Sequence, residues 1–480
     1  MKMLRSILTW LEDRTGLGKA VGPVLEHPVP QGTDWFYVFG SATLVSFMVQ
    51  VVTGVALAFV FAPSTDSAYQ SLQYISHDAP LGALVRGMHY WGASAMIFFM
   101  GVHVVRVFLT GSFKFPREMN WLTGVILFLV VIGLGFTGQL LRWDENAIYT
   151  IVVGAEQAGR TPFIGELVGR FLLGGEFVGA ATLSRFFAFH VFLLPGLVFA
   201  VVGLHLYLVI RNGISEPAEP GRPVDKATYR AWYQRLLERE GRPFWPDAMW
   251  RDAVFGLIVL GGIVLLAWLV GAPELGLPPN PSNVHVLPRP DWYFMWYFAV
   301  LALIPHHLTP YMIVGGPALA FLVLGLLPFL FGSGERSPKR RPWAVASIII
   351  IVIAIGVLWY EGIKAPWSPD FSAEPLTADI IGATSGPVAA GGHLFSEKGC
   401  IYCHRISGHG GRRGPDLTTI GNRLTIADMK IRIANGGYNM PEFASILSAQ
   451  EMDELVAFLR SRRTTGFTPE PPQERTPTGP

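Results

Sequence analysis

The chain has 480 residues, of which 51% are hydrophobic and only 15% are charged. Soluble proteins average about 25% charged residues, so this composition excludes an ordinary water-soluble enzyme and favours an integral membrane protein. The formal net charge of +2 argues against a nucleic-acid-binding protein. Two cysteines are too few for a disulfide scaffold or for an iron–sulfur cluster with four cysteine ligands.

The first 33 residues are predicted to include an amphipathic helix that lies on a membrane surface. Beyond them, seven apolar stretches reach the roughly 20 residues that a bilayer-spanning helix needs. These stretches cover about 35–61, 86–109, 121–141, 186–210, 253–270, 311–331 and 343–360. The predicted fold class is therefore an all-α, polytopic membrane protein with a small water-soluble C-terminal part.

Lysine and arginine are unevenly distributed between the two sides of this predicted topology. The connections on one side carry 19 of them and those on the other side carry 5. Because basic connections stay in the cytoplasm, the N-terminus is predicted to be cytoplasmic. Seven crossings then place the C-terminal part on the external side.

The second and fourth predicted spans each carry two histidines. His89 and His103 are 14 residues apart, and His190 and His205 are 15 apart. At 100° and 1.5 Å per residue, each pair lies on one helix face with about 21 Å between its members. Both spans run from the outside inward, so His89 is predicted to meet His190 at an outer level and His103 to meet His205 at an inner level.

Histidine inside a membrane span is costly and points to function, although a single one is often a hydrogen-bonded packing residue. Two histidines at each level leave a tetrahedral zinc site half empty, whereas a b-type heme needs two axial ligands. The pattern therefore predicts two bis-histidine b hemes. Arg86 and Arg106 follow the same faces and are candidates to pair with the heme propionates.

Glycines on the first and third predicted spans support the heme interpretation. They recur 14 residues apart on each span, and glycine lets a flat macrocycle approach the backbone. Helix packing is the alternative role of glycine in a membrane. The four residues are Gly40, Gly54, Gly124 and Gly138.

Several passages give the membrane part a family resemblance. Residues 30–217 resemble the cytochrome b/b6 family, and residues 240–367 resemble the partner subunit of the b6 branch, subunit IV, fused here into one chain. The passages that carry the first resemblance are Arg-Val-Phe-Leu-Thr-Gly (106–111), Phe-Pro-Arg-Glu (115–118), Phe-Thr-Gly (136–138) and Arg-Asn-Gly-Ile-Ser (211–215).

The sequence Pro-Asp-Trp-Tyr at 290–293 stands where the family has Pro-Glu-Trp-Tyr at its quinol-oxidising site. The resemblance implies that Asp291 accepts a quinol proton and that Trp292, Tyr293 and Tyr149 shape the pocket. An interfacial turn with aromatic anchors is the alternative interpretation. The aspartate form accompanies low-potential quinones in this family, which favours menaquinol.

Two further departures from the family pattern affect the predicted sites. Arg142 stands where the family usually has proline, so the wall of the quinol pocket is open to question. Val38 stands where the b6 branch tethers an extra heme through a cysteine, so that thioether cannot form. Arg211 and Asp252 are candidates for an inner quinone-reducing site, with interfacial anchoring as the alternative role.

The soluble part contains Cys400-Ile-Tyr-Cys403-His404, the attachment motif of a c-type heme with His404 as the proximal iron ligand. A chance thiol pair or a disulfide is the alternative. Met440, in a loop punctuated by glycine and proline, is the predicted sixth ligand. His393 and His409 are the alternatives for that position.

Residues 386–463 resemble a small class I cytochrome c, whose heme is attached on the external side of the membrane. Met429 and Met452 lie in helical patterns of this region and are predicted to fill its core. The predicted organisation is a surface segment, a diheme four-helix bundle, a three-helix region with the quinol loop, a linker, the cytochrome c domain and a disordered tail. These cover residues 1–33, 34–217, 218–367, 368–385, 386–463 and 464–480, respectively.

The predicted function is the membrane cytochrome b, with its own cytochrome c, of a proton-translocating quinol:cytochrome c-type oxidoreductase in a bacterial cell membrane. With both cysteines assigned to one heme, the resemblance implies a separate Rieske iron–sulfur subunit, and a downstream cytochrome or terminal oxidase as acceptor. A homodimer is implied by the family alone. A diheme anchor that conducts electrons for a dehydrogenase is the alternative, and a non-redox transporter has no use for four registered histidines.

Overall fold

The computed structural model describes residues 2–159, 161–175, 178–280, 287, 289–305, 308–436 and 440–464. Apart from its first residue, the predicted disordered tail lies outside these ranges. The chain divides into two compact units, Met1–Trp359 and Tyr360–Pro480.

The described part of the structure is mostly helical. The helices that begin in the first unit are α1 Lys2–Thr15, α2 Leu17–Leu25, α3 Phe39–Ala58, α4 Ala68–His77, α5 Gly82–Leu109, α6 Glu118–Leu140, α7 Glu145–Gly159, α8 Gly165–Leu173, α9 Ala180–Ala188, α10 Leu194–Asn212, α11 Tyr229–Glu240, α12 Met249–Leu269, α13 Met295–Leu303, α14 Thr309–Leu330 and α15 Pro342–Lys364. Those of the second unit are α16 Ala378–Ile381, α17 Gly386–Glu397, α18 Ile426–Asn435 and α19 Ala449–Ser461.

Short elements complete the two units. The strands form two small antiparallel pairs, β1 Pro28–Val29 with β2 Arg242–Pro243 and β3 Arg405–Ile406 with β4 His409–Gly410. The 3₁₀ turns are Trp35–Tyr37, Pro338–Arg340, Cys400–Tyr402 and Ile420–Asn422, and the π turns are Phe189–Leu193 and Phe244–Ala248.

Within the described residues, seven helices are long and apolar enough to cross a membrane, which confirms the predicted number. They are Phe39–Ala58, Gly82–Leu109, Glu118–Leu140, Ala180–Asn212, Phe244–Leu269, Tyr311–Leu330 and Pro342–Lys364. Their outer faces are apolar, as lipid contact requires: Trp268 is 74% exposed and Val352 is 59% exposed. The fourth span begins six residues earlier than predicted because the π turn Phe189–Leu193 joins α9 to α10 without a break.

The bundle that carries the histidines is formed by α3, α5, α6 and α10, with α3 against α5 and α6 against α10. Its central core cluster includes Phe47, Met96, Val130 and Val198. Each of these residues lies about midway between the two glycines or the two histidines of its own helix. One apolar layer therefore separates the two histidine levels.

The second unit has its own core, in which Phe395 of α17 packs against Phe458 of α19. Met429 is buried and Met452 packs at the edge of this core, as predicted for core-filling methionines. The segment 368–385, predicted to be a linker, contributes the buried side chains of Leu376 and Ile381 to the same core. The segment packs on the core because removing its apolar side chains from water is favourable.

Candidate functional site

The outer pair of histidines is in register in the structure. The ring centroids of His89 on α5 and His190 lie 6.2 Å apart. Two metal–nitrogen bonds of about 2 Å each, with half an imidazole on either side, span a gap of this size. The pair therefore fits one metal ion held between two imidazoles. At the inner level, His205 likewise lies near His103.

Each of the four glycines singled out in the sequence on α3 and α6 faces one histidine. A Cβ added to Gly54 would lie 3.3 Å from Cε1 of His89, and one added to Gly138 would lie 2.6 Å from Cε1 of His190. At the inner level the corresponding distances are 3.2 Å from Gly40 to His103 and 3.6 Å from Gly124 to His205. A side chain at these positions would occupy the space beside the imidazole, so the glycines keep open a cradle for a flat group.

A π turn explains why the two histidine pairs differ in spacing. His190 lies within the turn Phe189–Leu193, and a π turn inserts one extra residue into a helix. The 15 residues from His190 to His205 therefore give the same spacing of the two imidazoles as the 14 residues from His89 to His103 on α5. Sequence reasoning predicted the shared face but had no signal for the turn itself.

Three threonines, which sequence reasoning missed, contact the histidine rings. Thr53 Oγ1 lies 2.9 Å from His89 Nδ1, Thr137 Oγ1 lies 3.2 Å from His190 Nδ1, and Thr123 Oγ1 lies 2.8 Å from His205 Nδ1. Each threonine directly precedes one of the facing glycines. The dipeptide Thr-Gly at three of the four positions was the available signal.

The two arginines predicted to pair with propionates differ in their surroundings. Arg86 donates to the carbonyl of Pro273 at 2.6 Å and to Ser76 at 3.2 Å. Arg106 stacks over the ring of Tyr37, 3.7 Å from its centroid. Within the described residues, Nε and Nη2 of Arg106 are buried without a hydrogen-bond partner. Arg106 is therefore the better placed of the two to bind an anionic group.

The loop with Asp291 is held against α6. The amide of Asp291 donates to Oε1 of Gln139 at 3.3 Å, and the hydroxyl of Tyr293 donates to the Asp291 carboxylate at 3.1 Å. Gly135 makes room for Tyr293, since a Cβ there would lie 2.7 Å from the tyrosine hydroxyl. Gln139 and Gly135, both missed from the sequence, thus fix the position of this carboxylate.

Burial changes the acid–base character of this loop. It raises the pKa of Asp291, and the opposing effects of the Tyr293 hydrogen bond and of the Arg142 charge are smaller. Burial and the neighbouring carboxylate together raise the pKa of Tyr293 well above its usual value. Asp291 is therefore the proton-accepting group of the pair, and Tyr293 keeps its proton.

Arg142, which stands where the family usually has proline, is held by an ion pair and by a bond to a backbone carbonyl. Its guanidinium pairs with Asp144 at 2.6 Å and donates to the carbonyl of Glu274 at 2.8 Å. Asp144 is fully buried and also accepts from the amides of Ala147 and Gly276, each at 2.9 Å. These contacts attach the end of α6 to α7 and to residues 274–276.

The remaining predicted residues of the membrane unit have the following surroundings. Trp292 donates to Ser94 at 3.2 Å, and Tyr149 lies half-buried on α7. On the inner side, Arg211 is exposed and donates to Tyr207 at 3.1 Å, whereas the carboxylate of Asp252 accepts from Ser41. Val38 is buried at the start of α3.

In the second unit, Cys400 begins the 3₁₀ turn Cys400–Tyr402, Cys403 caps the end of that turn, and His404 follows directly. Burial raises the pKa of the Cys400 thiol to about 12 and lowers that of His404. His404 Nδ1 lies 2.9 Å from the carbonyl of Pro415. That carbonyl can only accept, so Nδ1 carries the proton and Nε2 keeps its lone pair for a metal. Gly414 makes this possible, because a Cβ there would lie 2.4 Å from Cε1 of His404.

The three candidates for the sixth ligand differ in burial. Met440 is half-buried and packs against the core of the second unit. His393 on α17 and His409 on β4 are exposed. An axial ligand lies over the face of the heme, inside the domain, so burial favours Met440.

Paired histidines across a membrane bundle and a heme-attachment motif in the second unit define a membrane-bound electron-transfer protein. Family models agree with this class. Residues 24–213 match cytochrome b/b6/petB, residues 278–378 match the C-terminal cytochrome b/b6/petD model, and residues 386–459 match the cbb3-type cytochrome c oxidase subunit III model.

Relatives and a solved structure give the same result. The chain is 40% identical over 223 residues to the menaquinol:cytochrome c reductase cytochrome b subunit of Bacillus subtilis, which covers 45% of this chain and all of the relative. It is 33% identical over 371 residues to cytochrome b/c1 of Bradyrhizobium diazoefficiens, covering 75% of this chain and 50% of the relative. A structure titled hyperthermophilic respiratory Complex III matches with a TM-score of 0.64 and 26% identity, over 74% of this chain and 91% of that one.

The chain belongs to the cytochrome b/b6 family. It carries both the b6-like and the petD-like regions, together with a C-terminal cytochrome c domain. It is an integral membrane protein whose relatives belong to bc-type, complex III-like respiratory families.

Proposed function

We propose that this chain oxidises quinol at the external face of a bacterial cell membrane as the cytochrome b of a proton-translocating complex. In this proposal His89 with His190 and His103 with His205 hold two b hemes, and Cys400, Cys403, His404 and Met440 hold one c heme. When bound, these groups supply one-electron carriers at two depths of the membrane and in the external domain. Menaquinol is the favoured substrate, because Asp291 replaces glutamate and a relative bears the name menaquinol:cytochrome c reductase.

One observation carries the proposal: the backbone of Asp291 is hydrogen-bonded to Gln139, next to the glycine that faces the outer histidine His190. Gln139, which holds the amide of Asp291, directly follows Gly138, whose missing side chain leaves space for His190. A carboxylate with a raised pKa is thus fixed beside the level at which an electron would be taken up. A diheme anchor for a separate dehydrogenase has no use for such a carboxylate.

The residues around Asp291 suit proton removal from a quinol hydroxyl. General bases work best when their pKa is close to the working pH, and burial shifts Asp291 in that direction. The hydroxyl of Tyr293 donates to the carboxylate and so orients it. The ring of Tyr293 contacts those of its two neighbours, Trp292 and Phe294. Tyr149 completes the pocket in this proposal.

Further partners follow from the chain's two cysteines. A Rieske cluster needs two cysteine and two histidine ligands, and here both cysteines belong to the c-type motif. We therefore propose a separate Rieske subunit as first external acceptor, a downstream cytochrome or oxidase beyond the c domain, and a homodimeric assembly. Arg211 and Asp252 are the proposed polar groups of an inner quinone-reducing site.

The heme stoichiometry of the purified chain tests the proposal. A pyridine hemochrome assay is expected to give two b hemes for each c heme. The double variant Cys400→Ala/Cys403→Ala is the matched control, and it should lose the c signal while keeping both b signals. A preparation that is folded by circular dichroism and still binds no b heme would refute the proposal.

Met440→Ala tests the sixth ligand of the c heme. The thioethers are unchanged, so the heme should stay attached, while its midpoint potential should fall because methionine ligation raises it. The charge-transfer band of a methionine-ligated ferric heme should disappear. Met452→Ala is the control, since Met452 packs on the same core from α19. An unchanged band in Met440→Ala would exclude Met440 as the ligand.

A further inference from the structure

His190 and His205 each also hydrogen-bond to a backbone group, that of Leu134 and that of Asn120, respectively. The three threonine hydroxyls indicate which imidazole nitrogen is free in all three histidines that they contact. Each hydroxyl also bonds to the helix carbonyl four residues earlier: Thr53 to Val49 at 2.6 Å, Thr137 to Gly133 at 2.8 Å, and Thr123 to Met119 at 3.0 Å. A carbonyl only accepts, so the single hydroxyl proton goes there. The oxygen is then an acceptor toward the histidine, whose Nδ1 carries a proton and whose Nε2 keeps its lone pair.

The fourth histidine lacks this arrangement. Phe39 stands directly before Gly40, at the position that threonine occupies before the other three glycines. Nδ1 of His103 is buried and has no hydrogen-bond partner among the residues that the structure describes. The outer level therefore has two hydrogen-bonded imidazoles and the inner level has one.

A hydrogen bond from Nδ1 makes an imidazole a more basic ligand. A more electron-donating axial ligand stabilises the oxidised form of the iron and so lowers the midpoint potential. The guanidinium of Arg106, which lies near His103, favours the reduced form of a group bound there because it adds positive charge. At the inner level, the absence of a hydrogen bond to His103 and the positive charge of Arg106 both raise the midpoint potential.

We propose that Thr53, Thr123 and Thr137 are positioning residues that tune the two b hemes, and that the missing hydroxyl beside His103 makes the inner heme the stronger electron acceptor. The inference rests on the proposed diheme function. The difference of one hydrogen bond and the charge of Arg106 then act together on the relative potentials of the two levels.

The direct test adds the fourth hydroxyl. Phe39→Thr places a hydroxyl at the register of the other three threonines, and Phe39→Val is its size-matched control without the hydroxyl. Redox titration of the intact complex, with the b hemes followed by their visible spectra, is expected to show a lower midpoint for the inner heme in Phe39→Thr than in Phe39→Val. We expect at least a threefold change in the ratio of oxidised to reduced heme, or about 28 mV at 59 mV per tenfold. The outer heme should not shift.

Removal of a threonine hydroxyl should shift the midpoint potential in the opposite direction. This test leaves Phe39 unchanged, and therefore also its packing against Phe99 and Phe255. Thr53→Val should raise the midpoint of the outer heme, and Thr53→Ser should restore it. Thr43→Val is the control on the same helix, because its hydroxyl bonds to the carbonyl of Phe39 at 2.9 Å; it should leave the midpoints unchanged.

Two bound b hemes with potentials that do not respond to Thr53→Val and do not differ between the two Phe39 variants would overturn the inference and leave the proposed function intact. A chain without b heme would instead refute the proposed function, and the hemochrome assay separates these two results. If the Phe39 variants lose the inner heme, the Thr53 series alone decides.

Discussion

Asp291→Asn is expected to lower quinol oxidation at least about 100-fold, the range that a general base supplies. The amide oxygen can still accept the hydrogen bond from Tyr293, and the backbone bond to Gln139 is unchanged. The variant therefore keeps the shape of the loop and loses the group that can take a proton. Turnover is measured with a reduced quinol and a cytochrome c acceptor, and both b hemes are quantified in the same preparation.

The pH dependence of turnover is a second test of the role of Asp291. Asp291 accepts a proton only as carboxylate, and burial raises its pKa. Turnover of the wild-type protein should therefore rise with pH through that raised pKa, and this limb should be missing from the residual activity of Asp291→Asn. The titratable groups close enough to interact electrostatically with this carboxylate include Tyr293, Tyr90 and Arg142.

Two variants control the Asp291 experiment. Asp291→Glu keeps the carboxylate and introduces the residue usual in this family, so its turnover should stay within about tenfold of the wild type. Asp66→Asn removes an exposed carboxylate in the loop between α3 and α4 and should have no effect. Wild-type turnover in Asp291→Asn with both b hemes present would show that another group accepts the proton.

The sequence was sufficient to predict the seven spans, because a bilayer imposes a length and an apolar composition that are visible in one dimension. It also predicted which histidines share a level, since helical geometry relates residue spacing to depth. The facing of Gly54 to His89 and of Gly40 to His103 agrees with that geometry. These features depend on periodicity within single helices.

Features that depend on contacts between distant segments were not predicted. Asp144 looks like an ordinary loop residue in the sequence, and only the fold brings it to Arg142 and to the amide of Gly276. Gln139 likewise meets Asp291 across 152 positions of the chain. The packing of residues 368–385 on the second unit depends on a core that no local pattern describes.

Gly138→Val is expected to remove the outer b heme and to leave the inner one bound. Even a single methyl at this position would lie 2.6 Å from Cε1 of His190, closer than non-bonded carbon atoms approach, so neither the imidazole nor a macrocycle beside it could keep its place. Overpacking of this kind costs about 1–3 kcal/mol in an ordinary core, and here it acts on the cradle itself. The ratio of b to c heme should fall from two to one.

Loss of the outer heme should also abolish quinol oxidation, since the carboxylate at Asp291 would then have no electron acceptor beside it at the same level. Gly133→Val is the matched control on α6, five residues earlier, where an added Cβ meets only Leu194 Cδ1 at 3.7 Å. That variant should keep both b hemes and its turnover. If Gly138→Val retained two b hemes with unchanged spectra, the outer heme would have to lie away from Gly138 and His190. The hydrogen bond between Asp291 and Gln139 would then no longer be evidence that Asp291 lies beside the outer heme.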